Sequence, residues 1–473
     1  MTEHSISVFK NQKGGFKVNV NGFTYAKNRE YNNKVYLECE FKRNDLYKCK
    51  ARLTTNVFSE VECVSVISSA GEHNHEGNPV RASVARNVHD LKMKTKDQPT
   101  VKTCQILQNH IASTSSDVAT SLPSKDSLRQ MINRGKKKVL NVPKEPTNFD
   151  FVIDHQSLLL NDDNFVIKER IFAQNKRVII FSTKECVTYL SQANYWLMDG
   201  TFKIVPIIFQ QLYTIHGSVH NTDKTFPLLF VLCTHKDKTS YDVMFDLIIE
   251  YCTEQGIALS PSFVIMDFEK AAALSIRQNF EAVTLKGCFF HLRQILYRKI
   301  QKEGLSTKYN NDKQFNKEVK CLMALCYVHP DNVLMYFNGL LETLSEDSLK
   351  IANWFGENYI QGKNNQPPKY NPSFWCLNYL ATIPRTQNSA ESFHHHISQI
   401  CSKRHVGFYR LASELIKETK VNLIEIQKII NGESVPNKRM KKGHYKLNNI
   451  NNILQNIPEY NNVDLLRAIA TNL

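Results

Sequence analysis

Strand-like apolar runs alternate with helical patterns between residues 195 and 290, and this alternation limits that part of the chain to an α/β fold. The runs predict strands over residues 195–199, 209–220, 227–235, 262–267 and 284–290. Helices are expected over 240–256, which ends at a glycine, and over 271–280. Residues 292–385 have a mostly helical pattern, so we expect a mixed sheet with a helical insertion.

The first 80 residues instead contain short strand-like runs separated by Gly and Asn turns. Cys39, Cys49, His73 and His75 lie in this segment with the spacing C-x9-C-x23-H-x-H. A structural zinc ion takes four thiolate or imidazole ligands, and a domain this small gains stability from such an ion. The spacing alone is equally compatible with two half-buried thiols and a polar His-Asn-His loop. The sequence GEHNHEG around the histidines is too polar for a core segment, which favours zinc.

Residues 83–145 form a helical, basic segment between these two regions. Three helices are expected there, and a helix-turn-helix is one interpretation of them. Cations crowd the last helix and its exit, namely Lys125, Arg129, Arg134, Lys136, Lys137 and Lys138. They predict phosphate contacts on nucleic acid or a nuclear import signal, and the alternative is a solvated linker face. Residues 150–430 are the expected main domain, and residues 431–473 an Asn- and Lys-rich tail.

The charge balance favours a polyanionic partner. The chain has 60 Lys and Arg against 45 Asp and Glu, a net charge of +15, which favours nucleic acid. No apolar run approaches the ~18 residues of a membrane helix, and the N-terminal sequence has no apolar segment typical of a secretory signal. We therefore expect no membrane partner. The scattered cysteines are expected to be metal ligands or buried thiols rather than disulfides.

Two carboxylates follow strand-like runs. Asp199 ends the run that begins at Tyr195, and Asp267 ends the run that begins near Phe263. Each alone is explained by a strand that exits into solvent, but two strands of one sheet can bring both acids to the same edge. Close carboxylates repel unless a divalent cation lies between them, which is how a two-metal phosphoryl-transfer site is built. Glu391, in the first turn of a predicted helix, would be the third acid, whereas Glu269 is expected to point away in a turn.

The N-terminal segment resembles the FLYWCH-type zinc finger over residues 9–77. The family pattern of aromatic, Gly, aromatic, Trp-x-Cys, Cys-x-Ala-Arg and His-x-His is represented here by Phe16, Gly22, Tyr25, Cys39, Cys49, Ala51, Arg52, His73 and His75. Leu37 stands where the family has tryptophan, a change expected to affect core packing rather than zinc. The resemblance implies one structural Zn²⁺ held by the two cysteines and two histidines. Arg52, on the basic run beside Cys49, is a candidate DNA contact.

The acidic segments resemble the catalytic motifs of Mutator-like element (MULE) transposases. The family's Asp-Gly-Thr-Phe, Asp-x-Glu, Cys-x-x-His and Asn-x-x-Glu-x-x-His are represented by residues 199–202, 267–269, 288–291 and 388–394. The resemblance implies an RNase H-like mixed sheet with a helical insertion at about 292–385. It further implies a DDE triad of Asp199, Asp267 and Glu391 holding two Mg²⁺ or Mn²⁺ ions.

Three further residues are accessory candidates near that triad. They are Cys288, His291 and His394. The pair Cys288 and His291 lacks two further ligands, so structural zinc is not expected there. Of the three consecutive histidines that begin at His394, only His394 is expected to face the acids, because successive residues of a helix fan out by about 100°.

Two functions of different classes agree with these patterns. The first is a DNA transposase, or its domesticated descendant, that cleaves and joins DNA. The second is a non-catalytic zinc-finger regulator that keeps the transposase core as a scaffold, and a zinc-dependent adaptor for protein or RNA is a weaker third. Double-stranded DNA, such as transposon ends or sites derived from them, is the expected partner. Nuclear localisation and a homodimer or higher assembly on DNA are expectations that follow from that partner.

Overall fold

The computed structural model describes residues 6–10, 15–56, 65–139, 143–219, 222, 224–377, 388–401, 405–433, 442–455 and 461–473. The chain divides into two compact units, Met1–Val142 and Pro143–Leu473.

The first unit begins with an antiparallel sheet in which each strand pairs with the next along the chain. Its strands are β1 (Ile6–Lys10), β2 (Phe16–Val20), β3 (Phe23–Tyr31), β4 (Lys34–Cys39), β5 (Arg52–Asn56) and β6 (Val66–Ala70). Asn21–Gly22 and Asn32–Asn33 close two of the hairpins with positive φ at both residues, the conformation that a tight two-residue loop requires. Leu37 is 1% exposed and fills the core with Val18 and Leu53, so the aliphatic side chain packs where the family has tryptophan.

Four helices complete the described part of this unit. They are α1 (Pro79–Asp97), α2 (Thr103–Ala112), α3 (Ser116–Thr120) and α4 (Lys125–Val139). Asn78 caps α1 by accepting the backbone N–H groups of Val80 and Arg81. Leu128 and Ile132 of α4 are buried against α1 and α2. Their spacing of four residues gives α4 one apolar stripe and leaves its remaining surface to polar side chains.

The second unit is mixed α/β. Its strands are β7 (Leu159–Leu160), β8 (Asp163–Asn164), β9 (Val166–Phe172), β10 (Lys176–Phe181), β11 (Tyr195–Thr201), β12 (Gln211–Ser218), β13 (Thr225–Cys233), β14 (Phe263–Met266) and β15 (Thr284–Gly287). The helices are α5 (Lys184–Ser191), α6 (Lys238–Glu254), α7 (Lys270–Asn279), α8 (Phe289–Lys302), α9 (Ser306–Asn311), α10 (Lys313–Ala324), α11 (Val333–Leu341), α12 (Glu346–Phe355), α13 (Pro372–Trp375), α14 (Asn388–Cys401), α15 (Phe408–Ile430), α16 (Lys442–Gln455) and α17 (Asn462–Thr471).

The main sheet has the strand order β15-β14-β11-β12-β13-β10-β9. The strands β11, β14 and β15 run parallel, and the other neighbours are antiparallel. Trp196 and Met198 of β11 face the core formed with α6 and α7, whereas Tyr195 and Leu197 belong to a cluster on the opposite face. Because side chains alternate along a strand, Asp199 also lies on this second face, against which α14 packs.

One predicted boundary was wrong. The strand expected over residues 284–290 ends at Gly287, and α8 begins at Phe289 with Cys288 as its N-cap. The buried residues Phe289, Leu292, Leu296 and Ile300 recur every three or four positions, which is a helical spacing. The helical pattern therefore begins at Phe289, earlier than the 292 expected.

The helices after β15 form a large apolar layer that includes the end of the chain. The helix α17, within residues expected to form a tail, packs against α10 and α11. Its Leu465, Leu466 and Ile469 are at most 1% exposed. Within the described ranges, no helix is both long enough and apolar enough to cross a membrane.

Candidate functional site

The four predicted zinc ligands converge at one end of the first sheet. Cys39 ends β4, Cys49 lies three residues before the start of β5, and His73 and His75 follow β6. Cys39 Sγ lies 3.1 Å from His75 Nε2, Cys49 Sγ lies 3.4 Å from His73 Nδ1, and the two imidazole nitrogens are 3.1 Å apart. The four donor atoms all lie within 4.8 Å of one another. This compact set of two sulfurs and two nitrogens fits a tetrahedral Zn²⁺ ion.

Hydrogen bonds orient both histidines toward this centre. Tyr25 Oη lies 2.7 Å from His73 Nε2, which leaves His73 Nδ1 directed at the sulfurs. His75 Nδ1 donates to the carbonyl of Glu76 at 3.0 Å, which leaves His75 Nε2 as the ligand atom. Phe23 stacks on the His73 ring with centroids 3.8 Å apart. Such supporting partners fix the tautomer and the ring plane of a metal-binding histidine.

The protonation equilibria of the metal-free centre are shifted by its burial. Burial and the neighbouring Cys49 raise the pKa of the Cys39 thiol to about 11. Burial and the neighbouring His75 lower the pKa of His73. At neutral pH, therefore, His73 is a neutral ligand, whereas Cys39 holds a proton that a zinc ion must displace.

A basic groove adjoins the zinc centre. It has a volume of about 510 Å³ and is lined by Lys42, Lys48, Cys49, Lys50, Arg52, Ala70 and Gly71. Arg52, the candidate DNA contact, is thus joined by three lysines that no sequence motif singled out individually. A groove with this excess of cations attracts phosphate.

The helix α4 presents most of its predicted cations to solvent. Lys125, Arg129, Arg134, Lys137 and Lys138 are exposed. Arg129 pairs with Asp126 at 3.0 Å. Lys136 is partly buried, and its ammonium donates to the carbonyl of Val101. Lys136 therefore helps to fix α4 to the loop before α2, and the other five provide the exposed positive surface.

In the second unit, Asp199 and Asp267 lie side by side. Met198 of β11 and Met266 of β14 are register partners in the parallel pair, and each aspartate is the next residue. The alternation of side chains places both carboxylates on the face against which α14 packs. The side chains of Gln211 and Tyr213 on β12 pack closely against Gly200, the residue after Asp199. A Cβ atom on Gly200 would come within 3.2 Å of both.

Asp199 is 6% exposed, and its carboxylate makes two polar contacts with described residues. Its Oδ1 accepts the backbone N–H of Gly200 at 2.9 Å, and its Oδ2 lies 3.1 Å from His394 Nδ1. His394 Nε2 in turn lies 3.1 Å from Thr214 Oγ1 on β12. His394 thus connects α14 to two strands of the sheet. His396 faces elsewhere and lies 3.3 Å from Glu418, whereas His395 lines a surface cleft together with Glu391.

Asp267 is buried beside other acidic residues, and its pKa is strongly raised. Burial, then Glu269 and then Asp199, raise the pKa of Asp267 to about 7, and Lys236 opposes the increase. Its Oδ1 is buried and has no hydrogen-bond partner among the described residues. The ring of Phe268 packs against Tyr370 and Phe374 of the helical insertion.

Glu269 was expected to lie in a turn and to point away from the acids. The turn is present, because β14 ends at Met266 and Glu269 is the N-cap residue of α7. The negative charge of Glu269 still contributes to the raised pKa of Asp267. Burial raises the pKa of Glu269 itself, and a hydrogen bond with Tyr241 of α6 opposes this increase.

Glu391 lies beside Cys288 and His291. One donor atom from each of these three residues lies within 4.8 Å of the others, whereas in the described part of the chain Asp199, Asp267 and Glu391 do not form such a group. Burial and Asp199 raise the pKa of Glu391, and His394 opposes the increase. Glu391 also lines a shallow cleft of about 410 Å³ with Asn388, Ser392 and His395. The predicted accessory residues and the third acid thus share one location next to Asp199.

Two family models match the chain. Residues 8–75 match the FLYWCH zinc finger domain, and residues 195–295 match the MULE transposase domain. No curated protein gives a significant match. The first match contains all four converging ligands, and the second contains Asp199, Asp267, Cys288 and His291. Both resemblances stated from the motifs are confirmed: residues 8–75 are similar to a FLYWCH zinc finger domain, and residues 195–295 are similar to a MULE transposase domain.

Proposed function

We propose that the protein is a DNA transposase of the MULE type, or a domesticated descendant of one, that cleaves and joins phosphodiester bonds with metal ions. The observation that carries this proposal is the pair of aspartates at adjacent ends of the parallel strands β11 and β14. An RNase H-like core requires this placement, with a third acid on a helix after the insertion. Glu391 is on α14, which packs against β11 and follows the helical insertion.

Two properties of these carboxylates, unpaired buried oxygens and mutual repulsion, are those expected of a site that binds a cation. Asp267 Oδ1 and Glu391 Oε1 are buried without hydrogen-bond partners in the described ranges, and the raised pKa of Asp267 reflects repulsion as well as burial. A divalent cation relieves both conditions. Two Mg²⁺ or Mn²⁺ ions held by Asp199, Asp267 and Glu391 would activate the attacking oxygen and stabilise the leaving oxygen. In this site His394 would orient Asp199, and Glu269 would add negative charge beside Asp267.

DNA is the proposed substrate, bound through two basic surfaces. One is the groove beside the zinc centre with Arg52, and the other is the exposed side of α4. Both belong to the first unit, and the net charge of +15 adds a general attraction for phosphate. A nuclear location follows from this substrate. We infer that α2 to α4 form a helix-turn-helix-like element and that the active assembly on DNA is a dimer or larger.

The decisive experiment measures Mg²⁺-dependent nicking of DNA duplexes that carry the sequences flanking the gene. Asp199→Asn, Asp267→Asn and Glu391→Gln should each reduce nicking about a thousand-fold, the effect of losing several kcal/mol of charge stabilisation. Asp246→Asn is the matched control, because Asp246 is exposed on α6. DNA affinity should stay nearly unchanged in every variant, since binding belongs mainly to the first unit.

A second function is favoured by one observation, the grouping of Glu391 with Cys288 and His291 rather than with the two aspartates. If Glu391 never joins them, the core is a scaffold and the protein is a zinc-finger DNA-binding regulator. That function predicts sequence-selective DNA binding with no nicking by the wild-type chain in Mg²⁺ or Mn²⁺. Nicking that depends on Asp199 and Asp267 would exclude it.

A further inference from the structure

A second cluster of metal-ligating atoms lies in the transposase domain. It consists of a sulfur from Cys288, a ring nitrogen from His291 and a carboxylate oxygen from Glu391, all within 4.8 Å of one another. Cys288 is the N-cap of α8, His291 lies in the first turn of α8, and Glu391 lies in the first turn of α14. Residues about 100 positions apart in sequence thus form the group, so the spacing of Cys288 and His291 alone did not predict it.

The backbone around Cys288 is held firmly. The Cys288 N–H donates to the carbonyl of Met266 at 2.8 Å, which ties the start of α8 to the end of β14. Gly287 lies under Phe268 and Phe374, since a Cβ atom there would come within 2.8 Å of both rings. The position of the Cys288 sulfur is therefore set by the sheet and by the aromatic residues packed over Gly287.

Two atoms of the cluster are unsatisfied. His291 Nδ1 and Glu391 Oε1 are both buried, and neither has a hydrogen-bond partner among the residues that the structure describes. Buried polar atoms in native proteins are almost always bonded, so each unpaired atom requires an explanation such as an ion or a water molecule. One metal ion coordinated by both atoms would satisfy them together.

The chemistry of the three ligands selects the ion. Mg²⁺ and Ca²⁺ take oxygen ligands, and a thiolate with an imidazole is a poor site for either. Zn²⁺ binds sulfur, nitrogen and carboxylate oxygen with similar ease. With three protein ligands, the fourth tetrahedral position remains for water or for a phosphate oxygen.

We propose that Cys288, His291 and Glu391 form a second zinc site, distinct from the centre in the finger. Zinc at this site binds the Glu391 carboxylate and withholds it from Asp199 and Asp267. Zn²⁺ is therefore an inhibitor of the Mg²⁺-dependent reaction, a consequence that rests on the proposed function. The site itself does not depend on that function.

Cobalt substitution in the full chain tests the site directly. Co²⁺ takes the place of Zn²⁺, and its thiolate bonds give a near-ultraviolet charge-transfer absorbance that grows with the number of Co–S bonds. We expect two Co²⁺ ions per chain with charge-transfer absorbance, from two cysteines in the finger and one in the core. The double variant Cys39→Ser, Cys49→Ser should keep one such ion with a single Co–S bond.

Variants of the core ligands separate this site from others. Cys288→Ser and His291→Ala should each bind one thiolate-coordinated Co²⁺ rather than two, and His291, which is only half-buried, can be changed with little risk to folding. Cys252→Ser is the matched control, since Cys252 is a buried cysteine of the apolar core and should retain both ions. One thiolate-coordinated ion in the wild-type chain, or two in Cys288→Ser, would overturn the proposal.

The inhibitory consequence has its own measurement. Micromolar Zn²⁺ added to the Mg²⁺ nicking assay should reduce the wild-type rate at least tenfold, and His291→Ala should lose most of that sensitivity relative to its own zinc-free rate. Equal inhibition of both proteins would overturn the inhibitory role. Absence of nicking altogether would count against the proposed function, and the cobalt stoichiometry would still decide whether the second zinc site exists.

Discussion

Tyr25 contacts one of the four predicted zinc ligands through its hydroxyl group. It is the partner of His73 Nε2 at 2.7 Å and does not itself belong to the ligand set. Tyr25→Phe should weaken zinc binding by about 10–100-fold, the usual effect of removing the partner of a metal-bound histidine. Competition with a chromophoric chelator measures it. Tyr36→Phe, on the neighbouring strand β4, is the control and should bind zinc like the wild type.

The same centre should lose zinc in acid. Cys39 has a raised pKa of about 11 in the metal-free chain, so zinc binding at neutral pH must displace its proton. Release of this proton alone weakens binding by about tenfold for each unit by which the pH falls. Chelator competition between pH 6 and 8 gives this slope. A pH-independent affinity would show that the thiols are not ligands.

The pKa of Asp267 predicts a pH-dependent stability. This carboxyl titrates at about 7 in the folded, metal-free chain against an ordinary value of 3.8. The folded state holds the proton more tightly, so the resulting stability is present below about pH 4 and is lost as the pH rises toward 7. Mg²⁺ should therefore raise the melting temperature at pH 8 and have little effect at pH 5.

Asp267→Asn is the variant that tests this assignment. It should be less sensitive to pH between 5 and 8 and should not respond to Mg²⁺. All three tryptophans, Trp196, Trp354 and Trp375, lie in the second unit, so their fluorescence follows its unfolding without interference from the finger. A wild-type melting temperature that Mg²⁺ leaves unchanged at pH 8 would contradict the cation site.

A sequence motif was enough to predict which residues belong to a site. It did not predict which residues from distant parts of the chain lie next to each other. The spacing of Cys39, Cys49, His73 and His75, the polar sequence around the histidines and the resemblance to the FLYWCH finger together predicted a zinc centre. The association of Glu391 with Cys288 depends on the position of the first turn of α14 relative to the start of α8. Such long-range packing has no local signal in the sequence.

At the scale of single elements, α4 offers a clear test of DNA binding. Changing Arg134, Lys137 and Lys138 together to Ala should reduce the slope of log affinity against log salt by up to about 2.7, or about 0.9 for each phosphate that the helix no longer neutralises. Lys136→Ala should change the slope much less, because the Lys136 ammonium donates a hydrogen bond to the carbonyl of Val101. An unchanged slope in the triple variant would assign these cations to nuclear import or to a solvated face.

Most strands of the main sheet were predictable from their apolar runs, with ends displaced by one to a few residues. The exception at Cys288 has a physical cause. The sequence CFFHLRQIL begins with a continuous apolar run, which is compatible with a strand, and only the later Leu292, Leu296 and Ile300 reveal the helical period. An apolar run at the junction of two elements satisfies both patterns.

At the scale of the whole molecule, the C-terminal helix α17 should be necessary for the stability of the second unit. Leu466 is fully buried in its core, so Leu466→Ala should cost about 2–5 kcal/mol in the free energy of unfolding. Urea denaturation followed by tryptophan fluorescence measures it. Val421→Ala is the control, since Val421 on α15 is 53% exposed and should change stability by less than about 0.5 kcal/mol.

Little in the local sequence indicates this role of α17. Residues 431–473 are rich in Asn and Lys, a composition more typical of a solvated tail than of a core helix. The apolar positions of α17 follow a helical spacing, but ten residues are too few to indicate where the helix packs. Its place depends on packing against α10, α11 and α16, helices that precede it in the chain.

The contact between His394 and Asp199 affects how mutagenesis of this protein must be interpreted. Replacing Asp199 with alanine would leave a buried imidazole without one of its two partners, and α14, the helix that bears Glu391, would lose its attachment to β11. The decrease in activity would then combine a missing charge with a displaced helix. Asparagine keeps an oxygen where His394 can donate to it, so the comparison of asparagine with alanine at position 199 separates the electrostatic contribution from the mechanical one.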